Sequence, residues 1–146
     1  MAVLRVVVDT NVFVSALLSP TGAPAQVLRA WRERRFLLLT SVDILAEIAE
    51  TLSRFVGRAP YAVTPDDVDG IVALLKNDAL EIPGGADVSE AGIPDPDDLV
   101  FLACALGGDA DVIVSGDKHL KSLGVYCGIP ILTARDFITR LNQVAE

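Results

Sequence analysis

A chain of 146 residues carrying 12 Lys and Arg against 20 Asp and Glu, a net charge of -8 at pH 7, can bury the core of one domain unaided. Its acidity excludes a protein that coats nucleic acid through bulk electrostatics. Hydrophobic residues make up 51% and mean hydropathy is +0.46, yet no apolar run approaches the roughly 18 residues of a membrane span, so the surplus reads as a heavily buried sheet plus a partner surface.

Met1, Ala2 and Val3 open the chain without the charged and apolar regions of an export signal, and a cytoplasmic location is expected. Residues 3–8, Val-Leu-Arg-Val-Val-Val, are apolar without alternation, which predicts a strand buried on both faces at the centre of a parallel sheet. Asp9 directly follows and is expected at the carboxyl edge of that sheet, where open α/β folds place ligand crevices. Residues 11–18 predict a short helix, broken by the turn formers Ser19, Pro20, Thr21 and Gly22. Pro24 suits the first turn of a second helix with Val27, Leu28 and Trp31 on one face. Arg29, Arg32, Glu33, Arg34 and Arg35 take the other face, a dense positive patch that is either a solvated helix surface or a contact for RNA or a partner.

Residues 36–39 predict a second buried strand, and Thr40 and Ser41 its end and the cap of the next helix. A strand, helix and strand in succession imply a right-handed parallel crossover. The helix from residue 42 to about 55 buries Ile44, Leu45, Ile48, Leu52 and Phe55, with Glu47 at the edge of that stripe, able to lean over the sheet's carboxyl end. Thr64, Pro65, Asp66 and Asp67 start a further helix, reaching about residue 78, with acids that complement its dipole; a short strand follows at 80–82. After a loop, Asp95 is the expected cap and Pro96 the first residue of an apolar helix, so Asp98 falls in its first turn. Residues 111–115 predict another buried strand, and Gly116-Asp117 repeats the strand-then-acid arrangement of Val8-Asp9. A last strand at 129–132 and a helix from 134 to about 144, capped by Thr133, close the chain. Cys104 in a helix and Cys127 in a loop show no metal spacing and are expected as buried thiols. The pattern predicts one α/β domain over 1–146, three layers around a central, mainly parallel sheet of about five strands.

Four acids thus point at one edge: Asp9 and Asp117 from strand ends, Glu47 from an overlooking helix, and Asp98 from a helix start. Crowded carboxylates repel one another, and such a cluster normally holds hard cations. Oxygen ligands without histidine or cysteine favour magnesium or manganese over zinc, and ions held this way can polarise a phosphodiester and activate water. His119, the one histidine, reads as a surface or substrate-contacting residue, because metal-activated water removes the need for a general base.

The motifs Val7-Val8-Asp9-Thr10-Asn11-Val12, residues 41–48 ending in Glu47-Ile48, Asp95-Pro96-Asp97-Asp98-Leu99 and Ile113-Val114-Ser115-Gly116-Asp117-Lys118-His119-Leu120 occur in that order. In this the chain resembles the PIN-domain ribonucleases, particularly the branch of VapC-like toxins of toxin–antitoxin pairs. The resemblance covers nearly the whole chain and implies a PIN-like nuclease fold. It implies that Asp9, Glu47, Asp98 and Asp117 are the catalytic, metal-binding acids for one or two magnesium or manganese ions; Asp95 and Asp97 lie close enough in sequence to share the role given to Asp98. Thr10, Asn11 and Ser115 match the polar positions beside the site, where substrate binds. The implied partners are an RNA substrate, a small antitoxin protein and a second copy of the chain. Two rival readings are a magnesium-dependent phosphatase or phosphotransfer domain, and a non-catalytic RNA- or protein-binding module.

Overall fold

β1 (Arg5–Val8) lies inside a six-stranded sheet, and Val6, Val7 and Val8 are at most 2% exposed, as an apolar run without alternation requires when both faces are covered. The computed structural model describes residues 3–83, 86–88, 92 and 95–144. The elements after β1 are α1 (Thr10–Leu18), α2 (Ala23–Arg32), β2 (Leu37–Thr40), α3 (Val42–Ser53), α4 (Pro65–Asp78) and β3 (Leu80–Glu81). They continue with α5 (Pro96–Gly107), β4 (Val112–Val114), α6 (Lys118–Leu123), β5 (Val125–Tyr126), β6 (Ile129–Leu132) and α7 (Ala134–Val144). The sheet order is β3-β2-β1-β4-β6-β5. All neighbours are parallel except the terminal β5–β6 pair.

The three-layer α/β/α arrangement is the expected one, with one strand more than the predicted five. The addition is β5, two residues long and paired antiparallel to β6 through a turn at Cys127 and Gly128, both with positive φ (50 and 82). An element so short leaves no periodicity to read. Cys104 is buried, whereas Cys127 is exposed in that turn, so the expectation of two buried thiols fails for one. The loop predicted between β3 and Asp95, like the opening Met1-Ala2, falls partly outside the described residues.

Chain order and strand order part company at β1. Its crossover leads to β2 on one side while β4, arriving from the far edge through α5, pairs on the other. The crevice beyond the carboxyl ends of β1 and β4 is therefore the topological switch point of the sheet, where α/β folds bind ligands. Caps start the helices where the sequence signals them. Ser41 Oγ accepts from the Ile44 N–H at 3.1 Å, Thr64 and Asp67 form a reciprocal capping box, Asp95 caps α5 and Thr133 Oγ1 accepts from the Asp136 N–H. α3 ends two residues before Phe55, whose N–H turns back to the Leu52 carbonyl at 3.0 Å in a tightened last turn. Among the described residues no helix is long and apolar enough to cross a membrane.

The closing helix is part of the core. Phe137 on α7 is fully buried and stands edge-on to Phe36 with ring centroids 5.2 Å apart and planes at 88°, the arrangement the aromatic quadrupole favours. Phe137→Ala is expected to lower unfolding free energy by about 3–5 kcal/mol in a urea titration. A midpoint unchanged from wild type would mean that α7 contributes nothing to the core.

Candidate active site

The register of the central strands builds the centre of the site. Val8 is paired with Val114, so the next residues along, Asp9 and Ser115, emerge side by side from the ends of β1 and β4. The Asp9 N–H donates to the Val114 carbonyl at 2.9 Å, and the Ser115 hydroxyl donates to Asp9 Oδ2 at 2.6 Å. The same hydroxyl oxygen accepts the Asp117 N–H at 3.0 Å, which links the two strand-end acids through one side chain. Asp9 is only 3% exposed. Burial raises its pKa, offset in part by the Ser115 hydroxyl and the nearby Asn11 backbone N–H, while the charges of Asp117 and Glu47 raise it further.

Glu47 reaches this edge from the middle of α3, half-buried, as its place beside the apolar stripe predicts. Thr10 at the start of α1 donates to its Oε2 at 2.6 Å, and Thr51, one turn further along α3, donates to its carboxylate at 3.1–3.2 Å. Asp117 stands at the cap of α6, where Oδ1 accepts the backbone N–H groups of His119 at 2.8 Å and Leu120 at 3.2 Å. This capping role went unrecognised because α6 is only six residues long; the signal was an aspartate before Lys-His-Leu.

Asp98, in the first turn of α5, is buried at 8% exposure, and its Oδ2 has no hydrogen-bond partner among the described residues. Burial comes first in pushing its pKa up to about 6, followed by the charges of Asp117, Asp95 and Asp9, with His119 pulling the other way. Asp95 and Asp97, which could share its role, differ from it in setting. Asp95 Oδ1 is occupied by the Asp97 N–H at 2.9 Å, and Asp97 is exposed.

The four predicted acids therefore influence one another, and among the described residues none has a cationic partner within ion-pair distance, since the one salt bridge is Arg54–Glu50 on the outer face of α3. Thr10 and Ser115, expected beside a substrate, are 4% and 0% exposed and turn their hydroxyls onto Glu47 and Asp9; Asn11 alone of the three is exposed. The arginine group of α2 is not brought to this edge. Arg32 and Arg34 line a cavity with Val3, Phe36 and Leu37, at the opening ends of β1 and β2, and Arg35 donates to Asn142 Oδ1 at 2.9 Å.

An all-oxygen donor set with a buried, unpartnered carboxylate oxygen suits a hard divalent cation. Among the described residues no three His, Cys, Asp or Glu side chains are drawn together tightly enough to hold an ion as they stand. Two threonine hydroxyls tether Glu47 and two backbone N–H groups tether one oxygen of Asp117, while mutual repulsion keeps bare carboxylates apart.

An α/β domain with acids gathered at its switch point defines a class suited to metal-assisted chemistry on phosphate esters. The PIN domain family model matches residues 5–119, and the chain belongs to that family. It is 32% identical over 121 residues to the uncharacterized protein MJ1680 of Methanocaldococcus jannaschii, across 82% of this chain and 75% of that protein. Its fold is similar to VapBC2 of Rickettsia felis bound to a promoter DNA fragment (TM-score 0.59, 14% identity, 89% of this chain and 98% of that one). It is equally similar to VapBC-1 of nontypeable Haemophilus influenzae (TM-score 0.59, 13% identity, 90% and 99%).

A folded-state pKa near 6 at Asp98, above the unfolded value, means that the native protein holds a proton the unfolded chain has released. Stability should then fall as pH rises from the ordinary aspartate range through about 6, with the penalty fully present above it. Asp98→Asn is accordingly expected to raise the melting temperature in EDTA at pH 8, with the gain shrinking towards pH 4. A gain independent of pH would show that Asp98 ionises as freely in the folded protein as in the unfolded one.

Proposed function

We propose that this protein is a metal-dependent endoribonuclease that hydrolyses RNA phosphodiester bonds, with Asp9, Glu47, Asp98 and Asp117 as the acids that hold one or two magnesium or manganese ions. One observation carries the reading. Four carboxylates from four separate elements converge on the switch point without a cationic partner among the described residues, and one keeps a buried oxygen unsatisfied, an arrangement that costs stability unless a cation offsets it. A bound divalent ion there would polarise the scissile phosphate and lower the pKa of an attacking water.

The chain's own contribution is orientation. Ser115 fixes the rotamer of Asp9 and ties it to the backbone of Asp117. Thr10 and Thr51 aim the carboxylate of Glu47, and the α6 amides hold Asp117 so that Oδ2 is free to turn to the site. Asn11, exposed at the start of α1, is the substrate-facing polar group, while Thr10 and Ser115 act through the acids they touch.

The proposal extends to partners. The two solved structures described above as similar in fold are VapBC assemblies, and by that likeness the chain would act in the cytoplasm as the toxin of a pair, covered by a small antitoxin protein. Exposed apolar side chains such as Val42, 67% exposed at the start of α3, suit a homodimer or an antitoxin contact.

The deciding experiment is cleavage of a panel of structured and single-stranded RNAs with magnesium, manganese or EDTA, comparing the wild-type protein with Asp9→Asn purified identically. Cleavage that requires metal and falls to background in the variant is the expected result. Equal cleavage by both proteins would remove the acids from the chemistry, and metal binding without cleavage of any RNA would favour a non-catalytic binding module. Ser115→Ala should weaken manganese binding about 10–100-fold, as loss of a group that orients a ligand does, read from the manganese-induced rise in melting temperature. An unchanged rise would mean that Ser115 does not position Asp9.

A further inference from the structure

The acids at the switch point repel the substrate proposed for them. RNA is a polyanion, the chain carries a net charge of -8, and the one dense arginine group lies at the opposite edge of the sheet. A cavity of about 360 Å³ adjoins the acids on the side of α7 and is lined by Asn11, Ser15, Gly116, Thr133 and Arg135, with the first turn of α2 as a further wall. No acidic side chain lines it. It shares its border with the acids at two points. Asn11 follows Asp9 by two residues, and Gly116 sits between Ser115 and Asp117. A side chain built on Gly116 would meet nothing within 4 Å, so the rim between acids and cavity is open.

Arg135 is the single cationic residue of the lining. It is exposed, and among the described residues its guanidinium has no hydrogen-bond or ion-pair partner; only its backbone carbonyl is engaged, by Thr139. Its backbone is nonetheless well anchored, between the Thr133 cap bonded to the Asp136 N–H at 3.1 Å and the fully buried Phe137. α2 begins at the same wall without a capping side chain, which leaves the positive end of its dipole uncompensated there. An unpaired guanidinium presents a planar fork that matches two oxygens of a phosphate.

We propose that this cavity is a backbone-phosphate subsite for the RNA strand passing the acids, with Arg135 as its anion-binding group and Asn11 as a neutral hydrogen-bonding partner. The assignment rests on the nuclease reading above and adds to it a binding site outside the four acids. Arg135, on α7, lies beyond the residues matched by the family model, whereas Asn11 and Gly116 lie within them. It supplies the local positive potential that the acidic edge lacks, and so fixes the direction in which the strand crosses the site.

The test uses the RNA that the wild-type protein cuts best. Arg135→Ala should raise KM about tenfold or more, the effect of one charge-assisted hydrogen bond, with kcat changed far less and the melting temperature unchanged because the side chain is exposed. In an Asp9→Asn background that binds without cutting, the same change should reduce the slope of log affinity against log salt by about 0.7. Arg135→Lys should retain that slope, because it keeps the charge, and recover part of the affinity. Wild-type KM and salt slope in Arg135→Ala, alongside normal wild-type cleavage, would overturn this inference alone. A wild-type protein that neither binds nor cuts any RNA with metal present would overturn the nuclease reading and the subsite with it.

Discussion

The burial of carboxylates that also repel one another, at the end of the β1–β4 pair, is the constraint around which the rest of the structure is arranged. Asp9 and Asp98 meet this repulsion from buried positions, and both resist ionisation. Glu47 and Asp117 are more open to solvent. The cluster is thus graded in exposure, with Asp9 and Asp98 inside and Glu47 and Asp117 nearer the solvent. A divalent cation reverses the sign of the field that makes ionisation costly, so the state with all four acids ionised and the state with metal bound favour each other.

What withstands the repulsion is apolar packing below it. The valines of β1, Leu38 and Leu39 of β2 and Val112, Ile113 and Val114 of β4 are almost wholly buried, and the parallel ladders fix which residue ends beside which. The hydroxyls then act at short range. Ser115 belongs to one strand end and holds the acid of another, and Thr10 belongs to α1 and holds the acid of α3. Each contact joins elements distant in sequence, so the site exists only when the sheet is in register. At Gly108 a side chain would meet Ile82 and Leu39 carbons at 2.9 Å, which shows how closely the end of α5, the helix of Asp98, is seated against the sheet.

The parts of this arrangement with a local signature were legible in the sequence. An apolar run followed by an acid gave β1 with Asp9 and β4 with Asp117. A residue bordering the buried stripe of a helix gave Glu47, and a proline after an aspartate placed Asp98 in a first turn. The roles of Thr10 and Ser115 were not legible, because a hydroxyl beside a site can face either the substrate or a neighbouring acid. Which it faces follows from the pairing of residues 106 positions apart, for which no local pattern exists. The turn-sized elements α6 and β5 escaped for a different reason: six residues and two residues hold too little of either period to distinguish helix from strand. With α6 hidden, the second use of Asp117, as its cap, was hidden as well.

The charge distribution gives the two ends of the sheet different work. Arginines gathered at the opening ends of β1 and β2 stand across the whole length of the strands from the acids, where their field at the site is screened by solvent and salt within about a Debye length of 8–10 Å. At the carboxyl edge the opposite holds, because any group that helps a polyanion approach must lie close enough to act and yet leave the acids free of an ion pair. A guanidinium on the closing helix, separated from the carboxylates by a glycine and an asparagine, satisfies both conditions. An arginine in direct contact with Asp9 or Asp98 would neutralise the charge a cation needs, and one at the far end of α2 would be too distant to guide the strand.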